Sequence, residues 1–202
     1  MIEEIKWWII LGYYIYTVIT AIGFNAYLKR KTGEGIMGSI DMNQIPRTLL
    51  WIFILGIIGT IIVFGYPLAY LAYPRILELG FPISILQNRY AEFFGGFILF
   101  SGLAIELAAL LQLGTSLRFY LPDQETALIT TGIYAVSRNP FYLGLYTTFF
   151  GMFFLLPSIV YGLGFIFFAA NNHFRILLEE QFLIERFGKE YEEYCRKTGR
   201  YF

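Results

Sequence analysis

At 202 residues, 57% hydrophobic and only 15% charged, the chain has too few polar groups to clothe a water-facing domain. Its 15 basic and 15 acidic residues cancel, so nothing in the overall charge points to nucleic acid or an acidic partner as the main target. One cysteine, Cys195, and one histidine, His173, exclude an internal disulfide framework and an ordinary His/Cys metal site.

The first apolar run, Trp7–Tyr27, is 21 residues without a charge and follows Glu3, Glu4 and Lys6. An acidic start and a long core differ from a cleaved leader, so the run reads as a retained membrane helix. Leu49–Tyr73 is 25 uncharged residues, and Phe93–Leu113 is 21 residues with one charge, Glu106. A hydrocarbon layer of roughly 30 Å needs about 20 helical residues, so each run is long enough to cross. Phe141–Leu156 and Ser158–Asn172, of 16 and 15 residues, flank Pro157 and predict a helical hairpin that turns there.

The expected fold class is therefore all-α: a polytopic membrane protein of about five transmembrane helices, including a C-terminal hairpin. Residues 1–113 hold the first three helices. Residues 114–202 hold the hairpin, the loop before it and a charged, aromatic tail. With the C-terminus in the cytoplasm, 12 basic residues lie inside and 3 (Lys6, Arg75, Arg89) outside, as the positive-inside rule expects. A hairpin that only dips into the membrane keeps the same sides. The N-terminus then lies outside, and the loop and tail are cytosolic.

Soluble nucleotide signatures are absent. Gly162-Leu163-Gly164 falls inside an apolar arm and reads as helix packing. Chemistry is concentrated in two polar clusters at the cytoplasmic boundary. The first runs from Thr130 to Gly144, with Tyr134, Arg138, Asn139, Pro140, Phe141 and Tyr142. Pro140 suits the first turn of a helix, whose outward amides suit a ligand carboxylate. The second is His173–Gln181, in which Arg175 and Glu179 share a helix face. Bland readings stand beside these: an interfacial aromatic belt with Arg138 reaching for headgroups, an i,i+4 ion pair, and a histidine that only hydrogen-bonds. Glu106 either bonds a neighbouring helix or lines a cavity.

Together the clusters resemble the integral-membrane methyltransferases, the isoprenylcysteine carboxyl methyltransferase and phospholipid methyltransferase family. The resemblance rests on Gly132-Ile133-Tyr134, Arg138-Asn139-Pro140-Phe141-Tyr142-Leu143-Gly144, Glu179-Glu180, Phe187-Gly188-Lys189-Glu190-Tyr191-Glu192-Glu193-Tyr194 and Thr198-Gly199-Arg200. It covers about Thr126 to Phe202. Asn139 stands where the isoprenylcysteine enzymes have histidine, a departure that bears on the substrate.

The resemblance implies S-adenosyl-L-methionine as methyl donor. It places Thr126, Ala127, Leu128, Ile129, Tyr134, Asn139, Pro140, Phe141, Tyr142 and Glu179 around that cofactor. Arg175 falls where the family faces its substrate, a lipid or hydrophobic small molecule entering from the bilayer. A carboxylate acceptor needs no base, and Arg175 orients it. An amine acceptor needs one, with Glu180 or Glu106 the candidates. Two other classes stay open: an NADPH-dependent reductase of the sterol reductase type, whose tails resemble Arg-Asp where this chain has Glu179-Glu180, and a non-enzymatic lipid-binding scaffold.

Overall fold

The computed structural model describes residues 2–32, 50–114 and 128–202. Those residues form an α-helical bundle with no strand, only an isolated bridge between Pro82 and Ser158. Its long helices are α1 (Ile2–Thr32), α2 (Leu50–Ala72), α4 (Arg89–Leu113), α5 (Pro140–Leu155) and α6 (Ile159–Phe187). Two short ones are α3 (Ile76–Leu79) and α7 (Lys189–Lys197). Three helices, over Glu4–Lys31, Trp51–Ala72 and Arg89–Leu113, are long and apolar enough to cross a membrane, and α5 is a shorter apolar helix. Large apolar side chains lie on the outer faces: Trp8, Ile19 and Ile22 of α1, Trp51 and Ile61 of α2, Phe97 and Leu111 of α4 are all more than 60% exposed. Such faces suit lipid and would be costly in water.

The ends of the helices follow local chemistry. Asn88 caps α4 by accepting from the Ala91 amide at 3.0 Å, and Ser158 caps α6 by accepting from Tyr161 at 3.2 Å. Pro140 occupies the first turn of α5, where its missing N–H leaves no bond unmade. Pro157 follows the end of α5 and separates it from α6, as the sequence predicts, whereas Pro67 lies inside α2. The turn at Pro157 is tied to the α3–α4 connection: Ile83 donates to the Pro157 carbonyl at 2.9 Å, and Ile159 donates to Phe81 at 3.0 Å.

The hairpin arms pack chiefly on other helices and only slightly on each other: α5 lies along α4, and α6 along α2. Small residues permit both approaches. A Cβ on Gly102 would sit 2.4 Å from the Thr148 amide, and one on Gly59 would sit 2.5 Å from that of Phe168. This is the close backbone contact that membrane helices use in place of a hydrophobic driving force. Gly164 lies against Ile62 in the second seam, which bears out the packing role of the Gly-Leu-Gly stretch. An edge-to-face cluster of Phe64, Phe149, Phe168 and Tyr13 fills the centre.

These contacts fix helix directions. Lys6 at the start of α1 pairs with Glu92 at the start of α4 at 2.7 Å, and Gly114 after α4 lies near Tyr27. One end of the bundle therefore carries Lys6, Arg75 and Arg89. The other carries Lys29, Arg30, Lys31, Arg138 and Arg175, together with both polar clusters.

Candidate cofactor and substrate site

Both clusters meet at the end of the bundle opposite Pro157. α5 begins there, and α6 continues past it to Phe187, about four turns beyond Asn172. The Tyr142 hydroxyl donates to Glu179 Oε1 at 3.0 Å, joining the start of α5 to the projecting part of α6. Tyr134 is buried in the short 3-10 turn Gly132–Ala135, close enough to Glu179 for the carboxylate to raise its phenol pKa, after burial itself and Tyr194. Arg175 sits one turn before Glu179, half-buried, and its charge acts on both Glu179 and Tyr142. Burial raises the Glu179 carboxyl above the usual range, against the opposing Tyr142 hydrogen bond and Arg175 charge. An acid held in this way gains when a cation enters beside it.

The other predicted cofactor residues divide. Leu128 and Ile129 are half-buried in the strand-free stretch before the 3-10 turn. Pro140 is buried as the first residue of α5, and Phe141 packs edge-on against Tyr142 with ring centres 6.0 Å apart. Thr126 and Ala127 lie outside the described residues, as do Arg47 and Arg118 of the charge count. Asn139 points elsewhere: its Nδ2 donates to Glu180 Oε1 at 3.1 Å and to the Arg200 carbonyl at 3.4 Å. Asn139 thus ties the loop to the tail.

Glu180 is the centre of that tie. Arg138 donates to both of its oxygens at 3.1–3.3 Å, and Arg200 donates to Oε2 through Nε at 3.1 Å and Nη2 at 2.8 Å. Burial pushes its pKa up, but the Arg200 hydrogen bonds and the charges of both arginines outweigh burial and hold it below the usual value. A carboxylate so engaged is a poor proton acceptor, which argues against Glu180 as the base for an amine. Arg138 does not reach for headgroups either. Its side chain is 10% exposed and also donates to the carbonyls of Cys195 and Thr198.

Glu106 takes the bland alternative. It accepts from Thr148 Oγ1 at 2.6 Å in the α4–α5 seam, on the side of α5 that packs against α4, whereas Tyr142 faces α6. His173 hydrogen-bonds as expected, its Nδ1 lying 2.7 Å from the Tyr201 hydroxyl. Sequence reasoning missed two contributors. Tyr201 stacks edge-on with Tyr146, so the C-terminus returns to the α5 wall. Gln112, in the last turn of α4, accepts from the Ile133 amide at 2.9 Å and donates to the Thr131 carbonyl at 2.5 Å. Its only sequence signal is an uncharged amide at the end of an apolar run.

Fold and site define a class: an all-α membrane protein whose acid- and tyrosine-lined site lies where its helices emerge from the apolar layer. Known proteins narrow this. A sequence model described as phospholipid methyltransferase matches residues 90–190, half of the chain. The protein-S-isoprenylcysteine O-methyltransferase of Saccharomyces cerevisiae is 38% identical over 81 residues, covering 38% of this chain and 33% of that protein. The enzyme of the same name from Schizosaccharomyces pombe is 31% identical over 136 residues, covering 63% of this chain and 53% of that protein. The matches thus span between a third and about half of the relatives' length. The chain belongs to the phospholipid methyltransferase family.

Proposed function

We propose that this chain transfers a methyl group from S-adenosyl-L-methionine to a hydrophobic acceptor that reaches the site from the bilayer. The observation that carries this reading is the meeting of Tyr134, Tyr142, Arg175 and Glu179 at one end of the bundle. Bound S-adenosyl-L-methionine supplies the activated methyl group and a positive sulfonium centre. Tyrosine faces and a half-buried acid form a suitable receptacle for such a cation.

In this reading the chain crosses the membrane five times. Its N-terminus lies outside, and the site and tail are cytoplasmic, as the clustering of basic residues at one end of the bundle supports. Leu128, Ile129, Tyr134, Pro140, Phe141, Tyr142 and Glu179 hold the cofactor, and Thr126 and Ala127 extend the same stretch. Arg175 meets the acceptor and fixes its polar end by a charge-assisted contact. Asn139 and Glu180 position the cofactor wall by fastening the tail over it. Holding donor and acceptor in line and away from water supplies most of the acceleration.

Radiolabelled S-adenosyl-L-methionine, incubated with the purified protein and either host lipid extract or prenylated thiols, tests this directly. Label entering an apolar product supports the reading. A protein that binds NADPH and transfers no label indicates the reductase class, and one that binds neither cofactor is a scaffold.

A further inference from the structure

We infer that Gln112 is a positioning residue for cofactor binding, acting from the last turn of α4 through the turn that carries Tyr134. The inference rests on the methyltransferase reading above, because the turn matters only if Tyr134 meets the cofactor. Three observations carry it.

Gln112 makes a two-point clamp on the backbone either side of Gly132: its Oε1 accepts from Ile133 N, and its Nε2 donates to Thr131 O. A side-chain amide sets an N–H donor beside a C=O acceptor in a fixed plane, so it matches a backbone N–H and C=O as another strand would. Gly132 adopts φ +58°, and a Cβ there would sit 2.4 Å from the Gln112 amide. The glycine is therefore required both by the left-handed backbone and by the space that Gln112 fills.

The far side of the same turn is held from the tail. Tyr194 donates to the Tyr134 carbonyl at 2.5 Å, and Thr198 donates to the Ala135 carbonyl at 3.3 Å. The turn is thus fixed by a membrane helix on one flank and by the C-terminal segment on the other. Gln112 supplies the described side-chain hydrogen bonds on the α4 flank. Without it the turn loses register with the bundle while the tail still holds Tyr134, so the phenol moves relative to Glu179.

Gln112→Leu keeps the side-chain size and removes both bonds. Gln112→Glu keeps the acceptor for Ile133 and removes the donor. S-adenosylhomocysteine affinity in detergent, measured calorimetrically beside the thermal melt, separates positioning from stability. The expected result is a dissociation constant raised about tenfold for Gln112→Leu and partly restored in Gln112→Glu, with helix content retained. Gly132→Ala should reproduce the loss, since its Cβ displaces the clamp. Gln112→Leu binding within twofold of the parent overturns the inference, as does equal loss in both Gln112 variants. If Gln112→Leu does not fold, Gln112→Glu decides on the same limit: unchanged binding overturns the inference and weakened binding supports it. A parent that does not bind S-adenosylhomocysteine defeats the methyltransferase reading instead.

Discussion

The Tyr142 hydroxyl and the Glu179 carboxylate, 37 residues apart in the chain, share a 3.0 Å hydrogen bond at the mouth of the α5–α6 hairpin. Deeper in the hairpin the arms meet through Phe149 and Phe168 and through the Tyr146 hydroxyl, which donates to the Ala169 carbonyl at 3.4 Å; at the mouth this bond and the tail network hold them together. Tyr142→Phe should leave the fold intact and weaken S-adenosylhomocysteine binding by about tenfold or more, as expected for one hydrogen bond to a charged group. Calorimetric titration in detergent checks it.

Glu180 and Arg138 of the Arg138–Glu180–Arg200 cluster are largely buried and Arg200 is one-third exposed, so losing the acid strands one buried cation and frees the other. Glu180→Ala should destabilise the protein by about 3 kcal/mol and loosen residues 198–202. Arg196, whose contact with Glu193 at 4.0 Å is exposed, offers a control: Arg196→Ala should leave the melting temperature unchanged. A thermal melt of both variants in one detergent checks the contrast.

Acid should release the same cluster. Glu180 has a folded-state pKa below its unfolded value, so its contribution is complete above the ordinary glutamate range. That contribution is lost as pH falls through the lowered folded value. The protection of the tail amides relative to their intrinsic exchange rates should therefore fall below the ordinary glutamate pKa, and Glu180→Gln should remove that change in protection.

Glu179 has the opposite sign. Its folded pKa is raised by burial, so its ionised form is costly in the free protein and welcomes a cation. The affinity ratio of S-adenosyl-L-methionine, which carries the sulfonium charge, to neutral-sulfur S-adenosylhomocysteine should rise with pH as Glu179 ionises. Paired titrations across the raised glutamate range check this, and Glu179→Gln should flatten the ratio.

The α4–α5 seam offers a test remote from the site. Gly102→Val introduces a Cβ within 2.7 Å of both the Thr148 amide and the Gly144 carbonyl, so the helices must separate. A loss of about 1–3 kcal/mol in stability is expected, the ordinary cost of overpacking. The melt of the purified variant reads it.

How much of this is legible in the sequence depends on the range of the interaction. Pro140 and Pro157 mark helix ends through their own rings and missing amides, so the hairpin can be read residue by residue. The three long apolar runs follow from composition alone. Arg138, by contrast, reads as an interfacial cation because nothing nearby in sequence pairs with it. Its partner Glu180 is 42 residues away, brought close only when α6 projects beyond the seam. Glu106 is undecidable from sequence for the same reason, its Thr148 partner being equally distant along the chain. Gln112 has no motif at all, because its ligand is backbone.

The central claim is that Tyr134, Tyr142 and Glu179 enclose one cofactor. Its most direct test is a titration of S-adenosylhomocysteine into the purified parent and its Glu179→Ala variant, both shown folded by their helix content. Saturable binding by the parent and none by the variant is the predicted result. Equal affinity in the two proteins would contradict it.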